Sequence, residues 1–179
     1  GHGFSEGWVR MSKASMKSAL PQFNSQRMVM DYIKGFYGPA AKQGRVLAKN
    51  RHKHARELAA WKEKIRHIWS SVELRRIDDA QPVVIAGNKT RIEVAARLGD
   101  LEPSDVRLEC VIGIEDEHHE FQASEYLGFT AESKLDSGET LFVLYLDPPL
   151  PGLQHYQIRI YPWHDLLSHR FETGCMVWL

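Results

Sequence analysis

The chain has few cysteines, no long apolar run and no net charge. Its 179 residues include only Cys110 and Cys175, too few for a disulfide scaffold. A membrane-spanning helix needs about 18 consecutive apolar residues, and the sequence has no apolar run of this length. We also expect no secretion signal. Basic and acidic residues number 23 each, so net charge gives no argument for nucleic acid or an anionic membrane as partner. These absences favour a cytoplasmic protein without membrane contact.

The sequence also lacks a complete catalytic constellation, and its apolar period changes at Ser70–Ser71. Before this point apolar residues repeat at the helical spacing, and after it they alternate as in strands. The pattern predicts an α+β chain in which helices precede antiparallel strands. We expect a cloning remnant and linker at residues 1–6, helices at 7–45, a connecting helix at 46–69 and a β-sandwich at 70–179.

Three helices are predicted upstream of Ser70. The first should end near Leu20, because Pro21 follows it. Asn24 is a good N-cap for the second helix, which we expect Gly38–Pro39 to close. The third should run from about residue 40 to 69 and be weakened at Gly44. The last turns of this third helix carry an apolar stripe that should dock on a core.

An aromatic stripe on the second helix predicts a docking surface. It comprises Met28, Tyr32, Phe36 and Tyr37. Burying one such side chain stabilises a protein by ~1.5–3 kcal/mol, and the helices offer too few partners to cover this stripe. We therefore expect another part of a larger protein, or a second copy of the chain, to cover it.

The remainder predicts seven or eight short antiparallel strands, from apolar alternation in runs such as residues 92–98, 106–112 and 141–146. Turns are expected at Gly87–Asn88, at 136–138 and at Pro148–Pro149. This number of strands in about 110 residues is typical of an immunoglobulin-like sandwich. Cys110 alternates with apolar residues, and no tryptophan follows it at the immunoglobulin spacing. We therefore expect a small core side chain there rather than a disulfide.

Residues 7–41 carry a distinctive pattern, GWVRMSKASMKSALPQFNSQRMVMDYIKGFYGPAA. Other segments of the chain carry further parts of the same pattern: residues 59–62, 98–101 and 105–106, and the closing run from Tyr156 to Trp178. On these residues the chain resembles the C-terminal end of bacterial α-glucan phosphorylases of the short form. These are pyridoxal-phosphate glycosyltransferases that act on maltodextrins and glycogen. Nearly the whole chain is similar, and residues 115–137 are least so.

The resemblance implies phosphorolysis of α-1,4-glucan to glucose 1-phosphate by a parent enzyme that holds pyridoxal phosphate upstream of this region. Residues 7–45 would then be the last helices of a two-domain glycosyltransferase body, and the rest of that chain their partner. Lys17 follows a motif-like Ala-Ser-Met, but no Gly-Thr pair precedes it to approach a phosphate. We therefore expect no cofactor site and no activity in this chain alone.

The sequence suggests two further partners, a glucan and a nucleic acid. Tyr126, Phe129, Tyr161 and Trp163 would stack sugar rings if exposed on the sandwich, which would make it an accessory glucan-binding module. The basic residues of the third helix, Lys42 to Arg56, would track phosphates of a nucleic acid. No aromatic residue interleaves with those cations, so a solvated helix is the favoured interpretation.

Histidines and carboxylates suggest metal ligands in two places. Residues 115–120 offer both ligand types, but adjacent strand residues point to opposite faces, so a solvated hairpin loop is favoured. His164 and His169 flank a short loop near the end. We expect their ring nitrogens to bind backbone groups and to fix the last loop against the sandwich.

Overall fold

Helices precede two antiparallel sheets, which confirms the predicted α+β class. The computed structural model describes residues 3, 5–79, 89–115, 117, 120–147 and 154–179, with the side chain of Glu115 left out. The chain divides into two compact units, unit 1 at residues 1–54 and unit 2 at residues 55–179.

The first two helices of unit 1 have side-chain caps. Helix α1 spans Glu6–Ala19, and the Ser5 hydroxyl accepts a hydrogen bond from the Trp8 N–H at 3.4 Å. Helix α2 spans Ser25–Tyr32, and the Asn24 side-chain oxygen accepts from the Arg27 N–H at 2.8 Å. The predicted end of the first helix near Leu20 and the predicted Asn24 cap are both confirmed. Each could be predicted because it depends on a local sequence signal.

The predicted close of the second helix at Gly38–Pro39 is wrong. A π-helical turn at Ile33–Tyr37 follows α2, and α3 begins directly at Gly38 and runs to Ile68. The wider turn accommodates Pro39, which has no N–H to donate within a helix. Glycine suits position 38 because a Cβ there would lie 2.9 Å from the Ile33 carbonyl oxygen.

Helix α3 is interrupted, but not at Gly44. Lys49 is extended, and the next three residues have φ values of 50°, 53° and 60°. Left-handed backbone costs ~1–2 kcal/mol per residue outside glycine, and asparagine, as at position 50, tolerates it best. Gly44 remains in regular helix. Since no described side chain of unit 1 is buried, tertiary packing within that unit does not hold the helix straight at Lys49.

Unit 2 contains eight described strands in two four-stranded sheets. Sheet A has the order β1-β2-β6-β5, and sheet B has the order β4-β3-β7-β8. The strands are β1 Glu73–Arg76, β2 Thr90–Arg97, β3 Val106–Glu115, β4 Phe121–Gly128, β5 Thr130–Lys134, β6 Thr140–Leu146, β7 His155–Pro162 and β8 Val177–Trp178. Every pairing is antiparallel, as predicted.

Apolar residues of the central strands β2, β3, β6 and β7 form the core of unit 2. Val94 of sheet A and Cys110 and Ile160 of sheet B are fully buried. The complete burial of Cys110 confirms its prediction as a core side chain, and this burial raises the pKa of its thiol to about 12. Both cysteines are free. The last turns of α3 contribute three further buried side chains, Leu58, Trp61 and Ile65, so the predicted docking of this helix end is also confirmed.

Two local features fix strand geometry. Gly138 has φ of 83° in the turn between β5 and β6, where a turn was predicted. Gly113 lies at a shift of register in β3, and a Cβ there would clash with the Gln122 carbonyl oxygen and lie 2.7 Å from the Phe121 ring. The predicted turns at Gly87–Asn88 and Pro148–Pro149 lie outside the described residues.

Candidate functional site

One face of sheet B carries charged and aromatic side chains instead of apolar ones. Cys110 of β3 points into the core, so its neighbour Glu109 points to the opposite face. In register, Arg159 of β7 lies between Glu109 and Trp178 of β8. The resulting cation–aromatic cluster comprises Glu109, Tyr126, Arg159, Tyr161, Arg170, Phe171 and Trp178.

Glu109 is the ionic centre of the cluster. It is 6% exposed and Arg159 is 9% exposed. The Arg159 Nε donates to Glu109 Oε1 at 2.5 Å, while the Tyr161 hydroxyl and Arg170 Nη1 donate to Oε2 at 3.1 Å and 3.4 Å. Burial, reinforced by the Glu109 carboxylate, raises the pKa of Tyr161. The buried carboxylate therefore has partners on both oxygens, as a buried charge requires.

Aromatic rings surround the two guanidinium groups. The Arg159 guanidinium carbon lies 4.9 Å from the Phe171 ring centre, 5.1 Å from that of Trp178 and 5.6 Å from that of Tyr126. The Arg170 guanidinium carbon lies 4.7 Å from the Phe171 ring centre and 5.1 Å from that of Tyr126. Such cation–π contacts hold the rings in defined positions.

A second polar cluster joins the end of α3 to the start of sheet B. The Trp61 indole donates to Asp105 Oδ1 at 2.9 Å, and Lys64 Nζ lies 3.4 Å from Oδ2. Although desolvation acts to raise it, the pKa of Asp105 is lowered by hydrogen bonds from the Glu102 N–H and Trp61 and by the Lys64 charge. The Trp61 ring centre is 5.1 Å from that of His164.

The segment before β8, residues 163–176, contains local side-chain hydrogen bonds and one contact with α3. His164 Nδ1 accepts from the Leu166 N–H at 3.1 Å, and His169 Nδ1 accepts from the Phe171 N–H at 3.2 Å. Glu172 accepts from a nearby backbone N–H and from Lys62 Nζ of α3. Both rings therefore bind backbone groups as predicted, but each bond joins residues two positions apart, so the fixing of the last loop against the sandwich by these histidines stays a prediction.

The predicted docking residues are all exposed. Met28 is 51% exposed, Tyr32 46%, Phe36 65% and Tyr37 64%. The Tyr32 ring centre lies 5.8 Å from that of Phe36 and 6.2 Å from that of Tyr37, so these rings form one surface. Whether a partner covers this surface stays a prediction.

The four residues predicted to stack sugars do not form one exposed platform. Tyr161 is only 4% exposed, because its ring lies under the segment before β8 and its hydroxyl binds Glu109, so its assignment to an exposed platform is wrong. Phe129 and Trp163 are half-buried, and the Trp163 indole donates to Asp165 at 3.2 Å. Tyr126 is 49% exposed and belongs to the cation–aromatic cluster.

The sequence interpretation missed Trp178 as a surface residue. Trp178 is not among the residues that the sequence singles out for an exposed platform, yet it is 48% exposed on β8. Its alternation with Val177, which faces Ile160 on the core side, was the available signal.

Lys17 has no closed cofactor pocket around it, and no metal cluster is found among the described residues. Lys17 is exposed on α1, a helix with no buried residue, so its surroundings do not fit pyridoxal phosphate, which needs a closed pocket. Within the described ranges, no group of three potential metal ligands converges. Of the predicted loop ligands, Asp116, His118 and His119 lie outside those ranges. No described helix is long and apolar enough to cross a bilayer.

The basic residues of α3 are exposed on both sides of its interruption. Lys42, Arg45 and Lys49 precede the left-handed residues, and Lys53 and Arg56 follow them. The helical face that would track phosphates is therefore not continuous. Nucleic-acid contact through this helix stays an unfavoured prediction.

A family model described as the glycogen phosphorylase C-terminal domain matches residues 69–179. The chain belongs to this family. It is 33% identical over 175 residues to the maltodextrin phosphorylase of Thermococcus litoralis, and 27% identical over 174 residues to the glycogen phosphorylases of Mycobacterium bovis and Mycobacterium tuberculosis. These alignments cover 96% of this chain and 20% of each relative, so the chain spans about a fifth of their length. No solved structure matches. The predicted resemblance to α-glucan phosphorylases is confirmed.

Proposed function

We propose that this chain is a structural, non-catalytic C-terminal part of an α-glucan phosphorylase and docks on the remainder of that enzyme. The parent reaction would be phosphorolysis of α-1,4-glucan to glucose 1-phosphate, with pyridoxal phosphate bound outside these residues. The names of the relatives and the one-fifth coverage support this proposal. Two free cysteines are consistent with a reducing cytoplasm.

The observation that carries the docking role is the exposed apolar surface of unit 1. Twelve large apolar side chains between residues 8 and 37 are 44–78% exposed, and no described residue of this unit is buried. A soluble protein rarely leaves such a surface wet, because each buried side chain would contribute ~1.5–3 kcal/mol. The occupant we propose is the catalytic body, whose last helices residues 7–45 would be.

Unit 2 is proposed to be an immunoglobulin-like sandwich. In strand letters, β1-β2-β6-β5 corresponds to the order A-B-E-D, and β4-β3-β7-β8 corresponds to C′-C-F-G. The buried inner residues of both sheets are consistent with face-to-face packing. The disulfide of antibody domains joins strands B and F, which correspond to β2 and β7, and neither of these strands contains a cysteine.

Hydrogen exchange tests the docking role. Amides of α1 and α2 should exchange at least about a hundredfold faster in the 179-residue chain than in the full-length phosphorylase that contains it, since only the parent covers them. Amides of α3 at residues 58–65 provide the internal control, because their side chains are buried within unit 2 in both proteins. Equal protection of α1 and α2 in the two proteins would contradict the proposal.

Two solution measurements address the alternatives. The 179-residue chain with pyridoxal phosphate, maltoheptaose and inorganic phosphate should release no glucose 1-phosphate, and measurable release would overturn the non-catalytic role. Sedimentation tests a second copy as the occupant of the apolar surface. If dimerisation of the chain is abolished by Phe36→Ser and the same substitution leaves the parent enzyme unaffected, docking on the catalytic body is wrong.

A further inference from the structure

Two exposed aromatic rings on sheet B are fixed in position by buried charges. Tyr126 on β4 and Trp178 on β8 are 49% and 48% exposed. Both rings lie against the Arg159 guanidinium, at 5.6 Å and 5.1 Å, and Glu109 fixes that guanidinium from below. They are therefore close enough for one short oligosaccharide to contact both. Their positions are set before a ligand arrives, which lowers the entropic cost of binding.

Open space and polar donors accompany these rings. Gly128 lies beside Glu109 in register, and nothing is found within 4 Å of the position that a Cβ there would take. The Arg170 side chain is 37% exposed and contacts the Tyr126 ring, so part of its guanidinium faces solvent. An aromatic face next to a partly hydrated guanidinium offers both a stacking surface and hydrogen-bond donors.

These features favour a polyhydroxyl ligand over an anion. The negative face of an aromatic ring attracts the polarised C–H groups of a sugar ring, and sugar hydroxyls accept hydrogen bonds from a guanidinium. Glu109 neutralises one of the two arginine charges, so the cluster holds only one excess positive charge. A phosphate group would favour a site in which the guanidinium forks were not already bound to a carboxylate.

We propose that Tyr126, Trp178 and Arg170 form a binding surface for an α-1,4-glucan chain. The surface is argued from the contacts above, and the choice of glucan rests on the proposed function. This surface replaces the exposed aromatic platform that the sequence predicted. Tyr126 belongs to both, and Trp178 belongs only to the new surface. Tyr161 is buried and donates a hydrogen bond to Glu109.

The test is calorimetric titration of the 179-residue chain with maltoheptaose, together with tryptophan fluorescence. Saturable binding is expected, and Tyr126→Ala and Trp178→Ala should each weaken it about tenfold or more. Tyr145→Ala provides the matched control. Tyr145 is 59% exposed on β6 of sheet A and lies outside the cation–aromatic cluster, so its removal should leave the affinity unchanged.

Each outcome decides the proposal. Absence of binding at millimolar maltoheptaose overturns it, as does an equal loss in the Tyr145 variant. Competition by inorganic phosphate alone would indicate an anion site and also overturn it. If Trp178→Ala fails to fold by circular dichroism, Tyr126→Ala and Trp178→Phe provide the comparison. Failure here leaves the docking role intact, because hydrogen exchange of α1 and α2 measures docking independently.

Discussion

Replacing Glu109 with glutamine is expected to destabilise unit 2 far more than replacing an exposed carboxylate. Glutamine keeps the size of the side chain but removes its charge, which leaves the Arg159 guanidinium buried without a counter-ion. The side chains of Arg159 and Glu109 are 11% and 8% exposed, so water replaces little of the lost interaction. Breaking a buried ion pair by removing one partner typically costs ~3–5 kcal/mol.

Two features of the cluster reduce that cost. The rings of Phe171 and Trp178 lie about 5 Å from the Arg159 guanidinium carbon and retain cation–π attraction, worth ~0.5–2 kcal/mol. Glutamine also still accepts a hydrogen bond. We therefore expect Glu109→Gln to lower the free energy of unfolding by about 2–4 kcal/mol, a large part of the ~5–15 kcal/mol typical of a domain.

Urea unfolding of the 179-residue chain, followed by tryptophan fluorescence and far-ultraviolet circular dichroism, measures this cost. The matched control is Glu73→Gln, which breaks the pair with Arg97 at side-chain exposures of 65% and 61% and should cost less than about 1 kcal/mol. The double variant Glu109→Leu with Arg159→Met should be less destabilised than Glu109→Gln, because it leaves no buried charge. Equal urea midpoints for Glu109→Gln and the control would show that the buried ion pair does not stabilise unit 2.

Three further outcomes are expected. Gly113→Ala should cost ~1–3 kcal/mol because its Cβ meets backbone, whereas Gly128→Ala, with open space, should unfold near the wild-type midpoint; equal midpoints would contradict this. The lowered pKa of Asp105 stabilises unit 2 above about pH 4, and that contribution is lost as the pH falls through the folded-state value, so Asp105→Asn should flatten the acid fall in urea midpoint. Residues 55–179 should fold alone, and residues 69–179 should aggregate; a monomeric, cooperatively folded 69–179 would refute the helix boundary.

Local signals made much of the fold predictable. The N-cap at Asn24 and the end of α1 near Leu20 each depend on residues within one turn. The strong apolar content of β2, β3, β6 and β7 made these strands predictable, and β6 is buried on both faces. The predicted helix end at Gly38–Pro39 is wrong, because the π-helical turn before it accommodates a proline that has no N–H to donate. The predicted weak point at Gly44 is also wrong, because the helix is interrupted at Lys49 instead.

The candidate site was only partly predictable, because it joins residues far apart in the chain. Glu109 and Arg159 are 50 residues apart, and only strand register brings them together. Strand β4, which carries Tyr126, has an irregular spacing of apolar residues and a mostly exposed burial pattern, so periodicity gives it little signal. Single positions could therefore be assigned to a face, but not to a common cluster.

Unit 2 begins earlier in the chain than the match to the family model. The family model starts at residue 69, but unit 2 starts at residue 55, because Leu58, Trp61 and Ile65 are buried within it. At ~1.5–3 kcal/mol each, these three side chains contribute an amount comparable to the whole stability of a small domain. The hydrogen bond from Trp61 to Asp105 adds a polar contact that a sheet domain without the helix would lack. The end of α3 is therefore a structural part of the C-terminal domain, and not only a connection to the helices before it.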